Sequence, residues 1–374
     1  MKILMVGRPD LFKYYGGDRV QVENTAKELR NLGVDVQIDT GCISDYSGYD
    51  LIHVFQLDWN PDSFFIVKKA KKMHLPVVLS AIHHNVGEVT RFDNEYAFDY
   101  RRLSRFLFKD QFKRDTFKDI YRTILNYKRL PVTVFEVFYG LKKMYKWVLE
   151  NSNMVLVQTV REAADLKETY NVQFKWAKVC NGVGQVFLDK YTSDTTLGIR
   201  NYILCVGRIE PRKNQLSIIE AVKKLRAETK EDIKLVFVGA KSKHKHYEYF
   251  YLFNKELDEN HWIKHINFMN YESMPSLYSD SKVCVSASWF ETTGLTSLEA
   301  LMCGANAVAS GDRAKEYLGE YASYCDPGDV ESIKAAIKKE YYAPRPELSE
   351  TFKNSYTWKN TAKETLEAYN SLLN

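Results

Sequence analysis

Apolar positions along this chain follow two alternating rhythms. Short β-branched runs at residues 3–6, 34–38, 51–54, 77–82 and 154–158, and again at 202–206, 233–238, 266–269, 283–286 and 305–309, read as strands. Between several of them lie segments of helical spacing. Residues 20–32 are one, with Asp18 as a candidate cap and Gly33 as the stop. Continuously apolar strands that alternate with helices predict parallel sheets covered on both faces. The fold class is therefore α/β, and the pattern runs through twice. Val6-Gly7-Arg8 closes the first predicted strand, and Val206-Gly207-Arg208 closes another in the second half. Each is followed by a loop and a helical segment, which predicts two Rossmann-like domains. The polar stretch 187–200, containing Ser193-Asp194-Thr195-Thr196, marks the expected boundary. Near the end, Trp358, Ala362, Leu366, Tyr369 and Leu372 share one helical face that needs a surface to pack on.

Composition narrows the class without changing the fold. The chain has 374 residues, 45% of them apolar and 27% charged, which excludes global disorder and suits two domains. No uncharged apolar run approaches the ~18 residues of a spanning helix. Met1–Pro9 is too short an apolar stretch for a secretory signal and reads as a buried first strand. Six scattered cysteines, without Cys-x-x-Cys or ligand-like His spacing, predict neither a disulfide framework nor a zinc site and fit a cytoplasmic address. The net charge of +5 is too small for a nucleic-acid-coating protein, but it is unevenly distributed. Residues 92–147 hold 15 aromatics in 56 positions, and residues 101–147 hold 13 Lys/Arg against 4 Asp/Glu. The whole basic excess lies in this stretch.

Two segments carry recognisable chemistry. Phe290 to Gly304 (FETTGLTSLEALMCG) follows a predicted strand and enters a helix, so the N–H groups of Gly294, Leu295 and Thr296 would form an anion site at a helix N-terminus. Glu299, within that helix, can accept hydrogen bonds from vicinal hydroxyls such as those of a ribose. Glu291, before it, can grip a second polyhydroxylated group. Val206 to Asn214 (VGRIEPRKN) opens a loop at the end of a strand, where open parallel sheets bind ligands. There Arg208, through its planar fork, and Lys213, as a point charge, can bracket a diphosphate. Taken singly, these charged residues read as capping or solvated side chains; their combination points to a nucleotide sugar.

Glu291-x7-Glu299 and Gly207-Arg208-Ile209-Glu210-Pro211-Arg212-Lys213-Asn214, with Gly16-Gly17, Asn181-Gly182-Val183 and Trp358, resemble the family 4 retaining glycosyltransferases of GT-B fold. The resemblance spans the chain except about residues 88–149. It implies two Rossmann-like domains facing a central cleft, with a C-terminal helix crossing back to the N-terminal domain. The implied division is an acceptor-binding domain at 1–187, a nucleotide-sugar-binding domain at 201–356 and the crossing helix at 357–374. By position, Arg208 and Lys213 would hold the donor's pyrophosphate, and Glu299 the ribose. Glu291 would hold the transferred sugar, and the N–H groups of Gly294, Leu295 and Thr296 the phosphates. Gly16 and Gly17 would let a loop approach the donor. The family's histidine after the fourth strand is matched best by His83, with His84 as rival. The sequence departs from the family where Thr293 replaces a frequent Phe.

The resemblance implies a retaining hexosyl transfer from a nucleotide-diphosphate sugar to a saccharide or lipid-linked acceptor, in bacterial surface polysaccharide or glycolipid assembly. The chain contains no Asp-x-Asp, so neither a metal nor a cofactor is expected. Within residues 101–147, Phe117, Ile120, Tyr121, Ile124 and Leu125 fall on one helical face, as do Phe138, Leu141, Tyr145 and Val148. These stripes are either core faces with solvated basic edges or a contact with an anionic membrane surface, peripheral on its inner face. No motif for nucleic acid accompanies the charge. The competing readings are a sugar-nucleotide epimerase or hydrolase of the same fold and a non-catalytic nucleotide-sugar-binding subunit.

Overall fold

A computed structural model describes residues 1–13, 16–41, 43, 45–96, 98, 106–189, 197–241 and 246–373. They form two compact units: Met1–Val86, Leu103–Gly182 and Ser355–Asn374 make the first, and Gly87–Arg102 with Val183–Asn354 the second.

The first unit is built on β1 (Lys2–Val6), β2 (Asp35–Asp39), β3 (Leu51–Phe55), β4 (Val77–Ser80), β5 (Met154–Val157) and β6 (Trp176–Lys178). All pair in parallel, in the order β2-β1-β3-β4-β5-β6. Side chains alternate across the sheet. Ile3 and Met5 of β1 face a cluster with Val22, Ala26 and Leu29 of the helix Gly17–Asn31 and Ala362 and Tyr369 of the helix Trp358–Leu373. Leu4 and Val6 face the opposite cluster, with Phe64, Val67, Met144 and Leu166. The C-terminal helix thus completes one face of the first sheet. Polar contacts fix it there. The Tyr369 hydroxyl lies 2.6 Å from His53 Nδ1, and Thr361 Oγ1 donates to the Cys180 carbonyl at 2.7 Å. Burial holds His53 neutral, pushing its pKa down to about 3. Gly182 is required by close approach: a Cβ there would stand 2.2 Å from the backbone nitrogen of Trp358.

The second unit contains β7 (Tyr202–Val206), β8 (Leu235–Val238), β9 (Ile263–Ile266), β10 (Ser281–Ser286), β11 (Asn306–Ser310) and β12 (Ala322–Cys325), in the order β12-β11-β10-β7-β8-β9. The order reverses between β10 and β7, which creates a switch point at their carboxyl ends. Part of the first half joins this unit. In the helix Val86–Glu95 and the residues after it, Phe92 packs edge-on to Phe290 at 5.5 Å, Tyr96 on Trp289 at 5.2 Å and Phe98 on Tyr249 at 5.1 Å. Arg91 pairs with Asp326 at 2.8 Å. So the start of the aromatic stretch, which sequence alone assigns to the first domain, groups with the second unit.

Several strand expectations need correction. The run at 266–269 overlaps β9 only at Ile266, because the strand uses the alternating Ile263–Ile266 instead. The short edge strands β6 and β12 have no β-branched run and are not marked in the pattern. The expected stripe Phe138, Leu141, Tyr145 and Val148 is not one face. Gly140, at φ +91, breaks the chain between the helices Leu130–Tyr139 and Leu141–Asn151. Phe138 is left exposed, and the other three are core. Residues 190–196 of the expected boundary and 101–105 of the basic stretch lie outside the described residues. Among the described residues no helix is long and apolar enough to cross a membrane. Cys180, Cys205, Cys284, Cys303 and Cys325 are free thiols, while Cys42 is outside the described residues.

Candidate functional site

In the second unit the two charged motifs leave adjacent strands at the switch point. After β7, Gly207 turns the chain at φ +146, with its backbone against the Lys213 side chain: a Cβ there would lie 3.3 Å from Cε. A short 3-10 turn, Pro211–Lys213, then leads through Asn214 in the left-handed region into the helix Gln215–Thr229. After β10, the loop 287–294 leads into the helix Leu295–Met302. The Trp289 N–H donates to the Arg212 carbonyl at 2.9 Å, tying one loop to the other.

This brings Lys213 and Glu291 together. The ammonium donates to Glu291 Oε1, and Arg212 Nη1 lies 3.5 Å from Oε2. Burial pushes the Glu291 carboxyl up, but Lys213 and Arg212 outweigh it and hold the pKa at about 2. Glu210 anchors the other side of Arg212 at 3.1 Å, and the guanidinium lies over the Phe290 ring. Arg208 sits at the edge of this network, without contact to Glu291. Its side chain is 60% exposed and touches Glu210 at 3.4 Å.

Glu299 has a separate environment. Tyr278 donates to its Oε2 at 2.7 Å, and burial, only partly opposed by that bond, pushes its pKa up to about 7. The expected anion site differs in detail from the sequence reading. The Gly294 N–H donates to the Tyr317 hydroxyl, and the Leu295 N–H to the Thr293 carbonyl at 2.9 Å. Two of the three N–H groups singled out in the sequence are therefore engaged by the protein itself. Beside Glu291 a small pocket is lined by Ser288, Ser310, Arg313 and Tyr317, with Glu88 from the segment after β4. Tyr278, Tyr317 and Glu88 carry no motif. Only contact across the fold reveals them.

In the first unit, His83 and His84 follow β4 and converge on one acid. His83 Nδ1 lies 2.7 Å from Asp58 Oδ1, and the His84 N–H donates to Oδ2 at 2.7 Å. Burial pushes the Asp58 carboxyl up, but the two histidines hold it well below the usual carboxylate range. The His83 N–H donates to Glu162 Oε1 at 2.8 Å, and Glu162 Oε2 accepts from the Gln158 N–H at 2.7 Å. Both histidines are buried, and the His84 ring also packs against Trp59. The loop after β3, which carries Asp58, is strained, with Gln56 and Trp59 at φ +73 and +56. Asp58, which orients the His83 ring and holds the His84 backbone, escaped the sequence reading because it sits alone after β3.

Gly16 caps the helix Gly17–Asn31 in an extended conformation. A Cβ on Gly17 would meet nothing within 4 Å, and neither glycine has a positive φ. Folding does not demand Gly17. Among the described residues no group of three or more His, Cys, Asp or Glu could hold a metal ion.

Comparison with known proteins agrees with this layout. Residues 194–355 match the family described as glycosyl transferases group 1. The O-antigen chain mannosyltransferase B of Escherichia coli is 27% identical over 182 residues, 47% of each chain. The serotype-specific mannosyltransferase WbdA of Escherichia coli is 26% identical over 178 residues, 46% of this chain and 22% of that one. The matches thus span less than half the length of these relatives. Sucrose-phosphate synthase from Thermosynechococcus elongatus superposes with a TM-score of 0.75 at 16% identity, over 100% of this chain and 99% of that one. Anabaena HepE in complex with UDP and glucose gives 0.63 at 15% identity over 100% and 99%. With its two parallel six-stranded sheets this chain has the two-Rossmann GT-B fold, and residues 194–355, nearly all in its second unit, are similar to the glycosyl transferases group 1 family.

Proposed function

We propose that this protein is a glycosyltransferase that moves a hexosyl unit from a nucleotide-diphosphate sugar to a saccharide or lipid-linked acceptor, with retention and without a metal. The observation that carries this reading is the Lys213–Glu291 pair at the switch point of the second sheet, within the matched family region. The mannosyltransferase relatives make a mannosyl unit the first candidate, with surface-polysaccharide assembly as the setting.

The chemistry follows from charge. The bond from the sugar's anomeric carbon to the β-phosphate oxygen breaks, its electron pair stays on the diphosphate, and an acceptor hydroxyl oxygen bonds to the carbon. The acceptor's proton leaves with the diphosphate. Negative charge therefore grows on the leaving group while the sugar becomes cation-like. Lys213 and Arg208 oppose the growing charge, and Lys213 is already held in place by Glu291 before any donor arrives. Glu291, ionised at any working pH, grips the hydroxyls of the transferred sugar. Glu299 takes the ribose hydroxyls. His83, oriented by Asp58, faces the transferred sugar in this scheme, and Gly16 and Gly17 leave room for the donor to approach.

Thermal unfolding in the presence of UDP-, GDP- and ADP-sugars tests donor binding. At least one raises the melting temperature; a flat response to all of them counts against the proposal. Chelation tests the metal clause: turnover persists in EDTA, and loss that Mg²⁺ or Mn²⁺ restores contradicts it. An epimerase would convert the donor to its epimer with the diphosphate intact.

A further inference from the structure

The basic aromatic stretch is folded inside out. In the helix Gln111–Leu125 the buried positions are polar: Arg114, Asp115, Lys118, Asp119 and Thr123. Ion pairs join them, with Lys118 on Asp115 at 2.8 Å and Arg122 and Arg129 on Asp119 at 2.9 and 3.2 Å. The opposite face carries Ile120, Tyr121, Ile124 and Leu125, the last two 76% and 72% exposed. The helix Leu130–Tyr139 repeats the inversion. Thr133 and Glu136 are buried, and Phe138 is 87% exposed. More than half of the large apolar side chains that the described residues expose lie between Phe106 and Tyr139. A water-facing helix has the reverse polarity.

The charges around this face select its partner. The acids Asp115, Asp119 and Glu136 point inward, whereas Lys109, Lys113, Lys128, Lys142 and Lys143 are exposed. Within residues 106–147 the one exposed acid is Asp110, which caps the first helix by accepting from the Lys113 N–H at 3.0 Å. A second copy of the chain would bring lysines against lysines in a two-fold contact. Anionic headgroups over an apolar layer complement both features.

We propose that the helices Gln111–Leu125 and Leu130–Tyr139 dock the protein on an anionic lipid bilayer, inserting Ile124, Leu125 and Phe138 below the headgroups. The inference needs no donor or acceptor, so it stands or falls apart from the proposed activity.

Co-sedimentation of the whole protein with vesicles tests it. The protein pellets with vesicles of phosphatidylglycerol and phosphatidylcholine at low salt. Binding falls with phosphatidylcholine alone and at ~1 M salt, where the screening length drops to about 3 Å. The double variant Ile124→Ser, Phe138→Ser loses roughly tenfold or more in partitioning while its melting temperature stays at or above the parent's. Lys128→Glu with Lys142→Glu abolishes the preference for anionic vesicles. Absence of vesicle binding by the parent protein overturns the proposal, as does equal binding by the serine variant. So does a dimer, seen by sedimentation velocity, that the serine substitutions dissociate while the parent ignores vesicles.

Discussion

Lys213 and Glu291, 78 residues apart in sequence, form an ion pair where the loops after β7 and β10 meet. The parallel pairing of those strands makes them neighbours, and the Trp289–Arg212 backbone bond fixes the distance between their loops. In the proposed reaction this pair holds a cation where the diphosphate's charge develops. Lys213→Ala should therefore lower turnover by ~10²–10³, the size of effect seen when one preorganised charge-stabilising donor is removed. Lys213→Arg should recover part of it. Steady-state release of nucleoside diphosphate measures both.

The same pair sets an acid limit on stability. Glu291 titrates in the folded protein at about 2, below its ordinary value of 4.5. Its contribution is thus fully present above pH ~4.5 and is lost as pH falls toward 2. Lys213→Ala removes the nearer of the two cations and leaves Arg212 and the Ser288 hydroxyl beside the carboxylate, so the variant's melting temperature should fall less steeply over that window than the parent's. Differential scanning calorimetry between pH 5 and 2 checks the slope.

Glu299 predicts a pH dependence of the opposite sense. Its folded pKa is raised to about 7, so the carboxyl is protonated in mildly acidic solution and a penalty on folding grows as pH rises from ~4.5 through 7. Vicinal hydroxyls bind the ionised form. Donor affinity, read by calorimetric titration, should then rise as pH passes through ~7, and Glu299→Gln should flatten the profile. Tyr278→Phe removes the hydroxyl that opposes the upward shift, so it should move the rise to higher pH.

Two glycines separate packing from function. Gly182→Ala places a methyl carbon 2.2 Å from backbone, where no side chain can yield, and should cost ~1–3 kcal/mol by overpacking. Gly17→Ala meets open space at the first position of its helix and should leave the melting temperature unchanged or slightly raised. A loss of donor affinity in a stable Gly17→Ala protein would mark it as a ligand-facing position. Unchanged affinity would remove it from the site.

The seating of the last helix has its own test. Tyr369→Phe deletes the hydroxyl that meets His53 in the core, at a cost of about 1–3 kcal/mol because the imidazole is left with a buried polar atom to satisfy. Chemical denaturation of the whole protein reads the change.

Periodicity revealed the frame because central parallel strands are apolar on both faces. β1, β3, β4 and β7 are marked by such runs, while the three-residue β6 and four-residue β12, at sheet edges, are not. The charged motifs were legible for a similar reason: Lys213, Glu291 and Glu299 lie in short, dense segments flanking strand ends. Asp58, Tyr278 and Tyr317 were not legible, since each acts on a site residue from a distant part of the chain. The inverted helices were half legible. The sequence shows the apolar stripe of Ile120, Tyr121, Ile124 and Leu125, but amphipathicity is symmetric and cannot say which face turns inward. Only the buried Asp119 with its two arginines decides that.

The most direct test is turnover. The parent protein, with UDP-, GDP- and ADP-linked hexoses including GDP-mannose, should release nucleoside diphosphate from at least one donor. Folded Lys213→Ala should do so ~10²–10³ more slowly. Failure of every donor to release diphosphate, or equal release by the variant, would contradict the assignment of Lys213 and Glu291 to glycosyl transfer.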